Sequence, residues 1–97
     1  MSTASVEALG EGRFAVRGPL RFQTVSAVWR ESVPLFRDVP RLALDFSAVT
    51  EVDSAGLALL IEWMREARRQ GAEIHFLNMP TQMQTIARVS GLEGLLP

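Results

Sequence analysis

Two short runs with a period of two open the chain, Val6-Glu7-Ala8-Leu9 and Arg13-Phe14-Ala15-Val16-Arg17, separated by Gly10-Glu11-Gly12. Glycine on both sides of a polar residue supplies the positive φ of a tight turn, so the segment predicts a β-hairpin. Gly18-Pro19 predicts the end of the second strand. The period then lengthens: Val25, Val28, Trp29, Ser32 and Phe36 recur at helical spacing behind a possible N-cap, Thr24. Pro34 predicts that this helix ends near Val33, because proline lacks a donor and disfavours helix in the residue before it. Arg41 to Phe46 predicts a strand covered on both faces, and Ser47 to Glu51 a turn. The clearest helix runs from Leu57 to about Gln70, with Leu57, Leu60, Ile61, Met64 and Ala67 as its inward stripe and Gly71 as its stop. A strand over residues 72–77 and a helix over residues 82–90, closed by Gly91, complete the pattern, and the apolar tail Leu92 to Pro97 is expected to dock on the body. A hairpin followed by helix, strand, helix, strand and helix predicts one α/β domain over residues 1–97, with a mixed sheet of about four strands.

Composition narrows the chemistry. With 47% hydrophobic and 22% charged residues the chain falls in the globular range and outside the disordered one. Its longest apolar run, Leu57 to Ile61, is far short of the roughly 20 residues that span a bilayer. The amino end has neither the basic nor the apolar segment of a secretory leader, and with no cysteine there is no disulfide, thiol nucleophile or thiolate metal site. A cytoplasmic protein is the expectation. A net charge of −1 gives no drive toward nucleic acid, and all ten basic residues, arginines without exception, are scattered along the chain.

No catalytic constellation can be assembled. The single histidine, His75, alternates with Ile74 and Phe76 on a strand, and no residue pair has metal-ligand spacing, so neither enzyme activity, a metal nor a cofactor is expected. A phosphate-cradling loop at Gly10 to Gly12 fails because a strand, not a helix, follows it. The informative segment is Asp53-Ser54-Ala55-Gly56. Asp53 or Ser54 caps a helix start. The tiny Ala55 and Gly56 let another backbone approach its positive end, a surface suited to protein docking or an acidic ligand. Leu59 and Trp63, one turn apart with Glu66, lie on a second face; they pack against a neighbouring helix or anchor a partner. Met83 is assigned to the core, and Met79 is left open.

The stretch Leu44 to Leu57, with Asp53-Ser54-Ala55-Gly56-Leu57 at its end, Gly18-Pro19-Leu20 before it and Gln70-Gly71 after it, resembles the STAS domain over about Val6 to Pro97. The resemblance implies the anti-sigma-factor antagonist-like fold. That domain is shared by bacterial anti-sigma-factor antagonists, the tails of anion transporters and accessory subunits of ABC transporters. In the sigma-regulating branch the phosphorylated serine immediately precedes the motif glycine, a position held here by Ala55. Ser54, the run Gly56-Leu57-Ala58-Leu59-Leu60 and the ending Leu95-Leu96-Pro97 resemble instead the MlaB-like branch. That branch implies a non-catalytic subunit of Gram-negative bacteria, bound to the MlaF-like ATPase of the Mla phospholipid ABC transporter that maintains outer-membrane lipid asymmetry. It would be peripheral to the inner membrane through that partner, with Asp53, Ser54, Ala55, Gly56, Leu59 and Trp63 at the interface. The alternative it implies is an anti-sigma-factor antagonist switched by phosphorylation, with Ser54 as the acceptor. A lipid carrier is disfavoured, because so small a core leaves little volume for a cavity.

Overall fold

The computed structural model describes residues 3–96. The glycine-flanked turn forms as expected: β1 (Ser5–Gly10) and β2 (Arg13–Leu20) pair antiparallel, with φ of +94°, +56° and +79° at Gly10, Glu11 and Gly12. Then follow α1 (Val25–Phe36), β3 (Arg41–Val52), α2 (Ser54–Arg69), β4 (Glu73–Leu77), α3 (Thr81–Val89) and a 3-10 turn at Glu93–Leu95. The sheet order is β1-β2-β3-β4, with β2, β3 and β4 mutually parallel. One core fills the space between the helices and one sheet face, built from Phe14, Val16, Leu42, Leu44 and Phe46 below and Val28, Phe36, Leu57, Leu60, Trp63, Met83 and Ala87 above. Met79, Leu92 and Leu96 pack half-buried against it. Pro97, the end of the expected docking tail, lies outside the described residues.

Sequence expectations are corrected at three places, β2, β3 and Pro34. β2 runs through Gly18-Pro19 to Leu20, because β1 pairing ends at Arg17 and the missing proline N–H removes no ladder bond on that side. β3 does not turn at Ser47 but runs to Val52, absorbing extra residues as two bulges, one opposite Ala15 to Arg17 and one opposite Gly18-Pro19. Nor is β3 covered on both faces: Ala43 and Asp45 are half-buried beside exposed Arg13 and His75, and the helices pack against the opposite side. The third correction concerns Pro34, which sits inside α1 as the helix continues to Phe36. A helix-interior proline costs about 3 kcal/mol, and burying a phenylalanine returns about 1.5–3 kcal/mol. Phe36 makes edge contact with Phe14 at 4.8 Å and a tilted one with Trp63 at 5.7 Å, and the core therefore holds the last turn in place.

The first bulge has an electrostatic consequence. The Ser47 N–H, out of the ladder, donates to Asp45 Oδ1 at 2.8 Å, and the Asn78 amide donates to the same oxygen at 3.1 Å. These bonds, the Ser47 N–H foremost, hold the Asp45 carboxyl below its usual range. A lowered folded-state pKa adds stability above the unfolded value of about 3.9 and loses it as pH falls through the folded one. Between about pH 6 and about pH 3 the wild type should therefore lose more urea resistance than Asp45→Asn. Equal losses would mean that these bonds do not favour the ionised form.

Candidate functional site

The three parallel strands deliver α1, α2 and α3 to the same end of the sheet, and α2 begins there directly from β3. Asp53 is its N-cap, with extended backbone at φ −130° and ψ −168°. Its Oδ1 accepts from the Ala55 N–H at 2.8 Å and its Oδ2 from the Phe22 N–H at 3.1 Å, while its own N–H donates to the Leu20 carbonyl at 3.1 Å. Asp53 thus ties the start of α2 to the end of β2 and to the loop before α1. Thr24 stands at the expected N-cap position of α1, but its side chain closes that loop and makes no cap bond to the first helical turn: the hydroxyl donates to the Pro19 carbonyl at 2.7 Å and accepts from the Arg21 N–H at 3.0 Å. Gln82 adds a brace from α3, accepting from the Val52 N–H at 3.3 Å.

The residues singled out in the sequence divide into two sets. Ser54 is exposed and Ala55 half-buried at the tip of α2, open to another molecule. Gly56 is buried, and the backbone that approaches it is the chain's own: a Cβ there would lie 2.9 Å from the Leu20 carbonyl oxygen and 3.2 Å from Leu20 Cβ. Since the first obstacle is backbone, the turn itself must move to accept a methyl group. Gly56→Ala is expected to destabilise by about 1–3 kcal/mol in urea unfolding, the overpacking outweighing the roughly 1 kcal/mol that alanine gains in helix propensity. A variant as stable as wild type would show the approach to be looser than this geometry.

Trp63 is corrected from candidate anchor to core. It is 1% exposed, its indole N–H donates to Ser32 Oγ at 2.8 Å, and its ring lies between Phe36 and Phe46. The close seat of Gly56 on Leu20 sets the rotation of α2, so that Gly56, Leu60, Trp63 and Ala67 face inward while Met64, placed in the expected stripe, is half-buried. Leu59 is only 4% exposed and is likewise no projecting anchor, but it forms part of the floor of a groove.

That groove, about 420 Å³, runs between the N-terminal halves of α1 and α2. Val25, Trp29, Ala55, Ala58 and Leu59 make it apolar, and Ser26, Arg30 and Glu62 edge it. The Phe22 side chain stands 80% exposed on the loop that Asp53 clamps ahead of α1. The sequence pattern missed Phe22, which lies in the loop ahead of the first helical turn. It assigned Val25 and Trp29 to the buried stripe, where both are half-buried at its edge. An aromatic in the loop three residues before the helix was the signal available. Among the described residues no helix is long and apolar enough to cross a membrane.

Solved structures share this arrangement. The anti-sigma factor antagonist SpoIIAA in its unphosphorylated form superposes with a TM-score of 0.73 at 21% identity, over 98% of this chain and 86% of that one. The phosphorylated form of SpoIIAA, described as a Bacillus cell fate determinant, gives a TM-score of 0.70 at 21% identity over 98% and 89%. SLC26A9 gives 0.72 at 16% identity over 99% of this chain and 21% of that one. These likenesses establish the STAS fold, a four-stranded mixed sheet with three helices. No curated protein matches the chain. The family model described as "Mlab, STAS domain" matches residues 4–97, and with the Asp53-clamped helix start and the parallel β2-β3-β4 sheet in place, the chain belongs to the MlaB-like STAS family.

Proposed function

We propose that this protein is a non-catalytic accessory subunit that binds the ATPase of a phospholipid-transporting ABC system of the Mla type, in the cytoplasm of a Gram-negative bacterium and peripheral to the inner membrane. One observation carries the reading: the tip of α2 presents exposed Ser54 and half-buried Ala55 next to an apolar groove, while Asp53 and Gly56 are consumed internally in holding that tip. Such a surface is rigid and apolar at its centre, and a pre-organised patch of that kind binds a partner with little ordering cost. Docking to the assembly-competent conformation of the ATPase would raise its population, and stabilisation by mass action asks no chemistry of the subunit. The membership in the MlaB-like family supports this branch.

A second reading, an anti-sigma-factor antagonist, rests on the open hydroxyl of Ser54 at the first helical position. Phosphate there would add about −1.5 to −2 charges at a helix N-terminus but beside the Asp53 carboxylate. Co-expression with the ATPase of a phospholipid ABC transporter, followed by size-exclusion chromatography, tests the first reading: comigration supports it, and separation at micromolar concentrations refutes it. Intact mass after incubation with an anti-sigma kinase tests the second, which requires stoichiometric modification at Ser54.

A further inference from the structure

The groove beside Ser54 is the wider end of a longer seam. Trp29 lines both this groove and a second cavity of about 120 Å³ nearer the other end of α1 and α2, whose edge includes Val33, Arg37 and Glu66. Along the seam the apolar floor runs from Val25 and Leu59 past Trp29 to Val33, the last 37% exposed. Both signs of charge edge the seam, but its unpaired charges are basic. On α2, Glu62 is paired with Arg65 at 3.2 Å and Glu66 with Arg69. Arg30 on α1 and Arg37, the C-cap residue that follows it, are exposed, and neither forms an ion pair among the described residues. They stand seven positions apart, Arg30 beside Trp29 at the middle of the floor and Arg37 past its Val33 end, about 10 Å along the axis.

We propose that the α1–α2 seam is a receptor for an acidic amphipathic helix of a partner protein, whose apolar stripe lies on Val25, Trp29 and Leu59 and whose carboxylates, two turns apart, pair with Arg30 and Arg37. The inference deepens the docking reading, on which it rests, by naming the chemistry of the partner's contact. The two free guanidiniums present planar forks suited to carboxylates. A helix laid in a groove repeats its anchors at i, i+3, i+4 and i+7, the spacing that also brings two acids over Arg30 and Arg37. Opposed charges at the edges set orientation and raise the rate of encounter, while the apolar floor supplies the affinity.

The probe is a synthetic helical peptide with a leucine stripe and two glutamates seven residues apart; its control carries lysines at those two places. Trp63 also borders the second cavity, so the titration uses Trp63→Phe, in which half-buried Trp29 is the one remaining tryptophan and intrinsic fluorescence reports on it. A saturable change with the glutamate peptide, weakened about tenfold or more with the lysine peptide and inverted in preference by the double variant R30E/R37E, is expected. Equal response to both peptides overturns the proposal, as does a Trp29 signal that changes with protein concentration alone, which would assign the seam to a second copy of this chain. An ATPase that comigrates equally with wild type and R30E/R37E also overturns it and leaves the docking reading standing. Inverted peptide preference without any ATPase comigration supports the seam and removes that reading.

Discussion

Replacing Trp63 with alanine is expected to cost about 3–5 kcal/mol, a large part of the roughly 5–15 kcal/mol that holds a domain of this size. The side chain is the largest of those fully buried, and it bridges α1, α2 and β3 through Ser32, Phe36 and Phe46. Most of the loss is a cavity effect. The hydroxyl of Ser32 keeps a partner in the variant, because it also donates to the Trp29 carbonyl at 2.8 Å, so no donor is orphaned. Trp63→Phe separates the two contributions: it retains most of the ring volume and removes the indole N–H, and should cost less than half as much in guanidinium unfolding. The contrast with Phe22 tests the division between core and surface. Phe22→Ala, at a side chain 80% exposed, should leave the unfolding midpoint unchanged. If Trp63→Ala proves mild in unfolding yet abolishes partner binding, the tryptophan is an anchor after all and the packing described for α2 is wrong.

The elements that sequence periodicity placed well are those governed by neighbours in the chain. Gly10 to Gly12 make a turn because their φ values are positive, and Gly71 and Gly91, both at φ +73°, end α2 and α3. Asp53 caps α2 as its position ahead of the apolar run implied. What escaped depends on residues far apart. The segment Ser47 to Glu51 looks like a turn by composition, and only pairing with Gly18-Pro19, some thirty positions earlier, makes it a bulged strand. Pro34 ends a helix by local rules, and the distant Phe14 and Trp63 keep Phe36 helical. The rotation of α2 was ambiguous because apolar residues occupy more than half its circumference; contact between Gly56 and Leu20 decides it. The same holds for the site. Its tip, Ser54 and Ala55, was legible as a motif, whereas the groove is made by two helices and cannot be seen in either one alone.

Ser54→Arg is expected to reduce binding of the proposed ATPase partner on the order of a hundredfold or more, to the point of no comigration, while leaving the fold intact. Ser54 is the first residue of α2, exposed, and its side chain makes no hydrogen bond among those of the described residues, so the fold draws little on it. A cation at a helix N-terminus opposes the dipole by about 0.3–1 kcal/mol, the whole of the expected stability change. At the centre of an interface the same side chain would have to be desolvated without a partner, a penalty of several kcal/mol that docking energy does not recover. Ser54→Ala isolates the steric and charge effect from the hydroxyl and should comigrate nearly as wild type. Thermal unfolding of both variants, measured beside the chromatography, distinguishes a lost surface from a lost fold. Wild-type yield of complex with Ser54→Arg would place the ATPase contact elsewhere on the molecule. The next place to look would then be the helix-free face of the sheet, where Arg13, Ala43 and His75 stand in register across three strands.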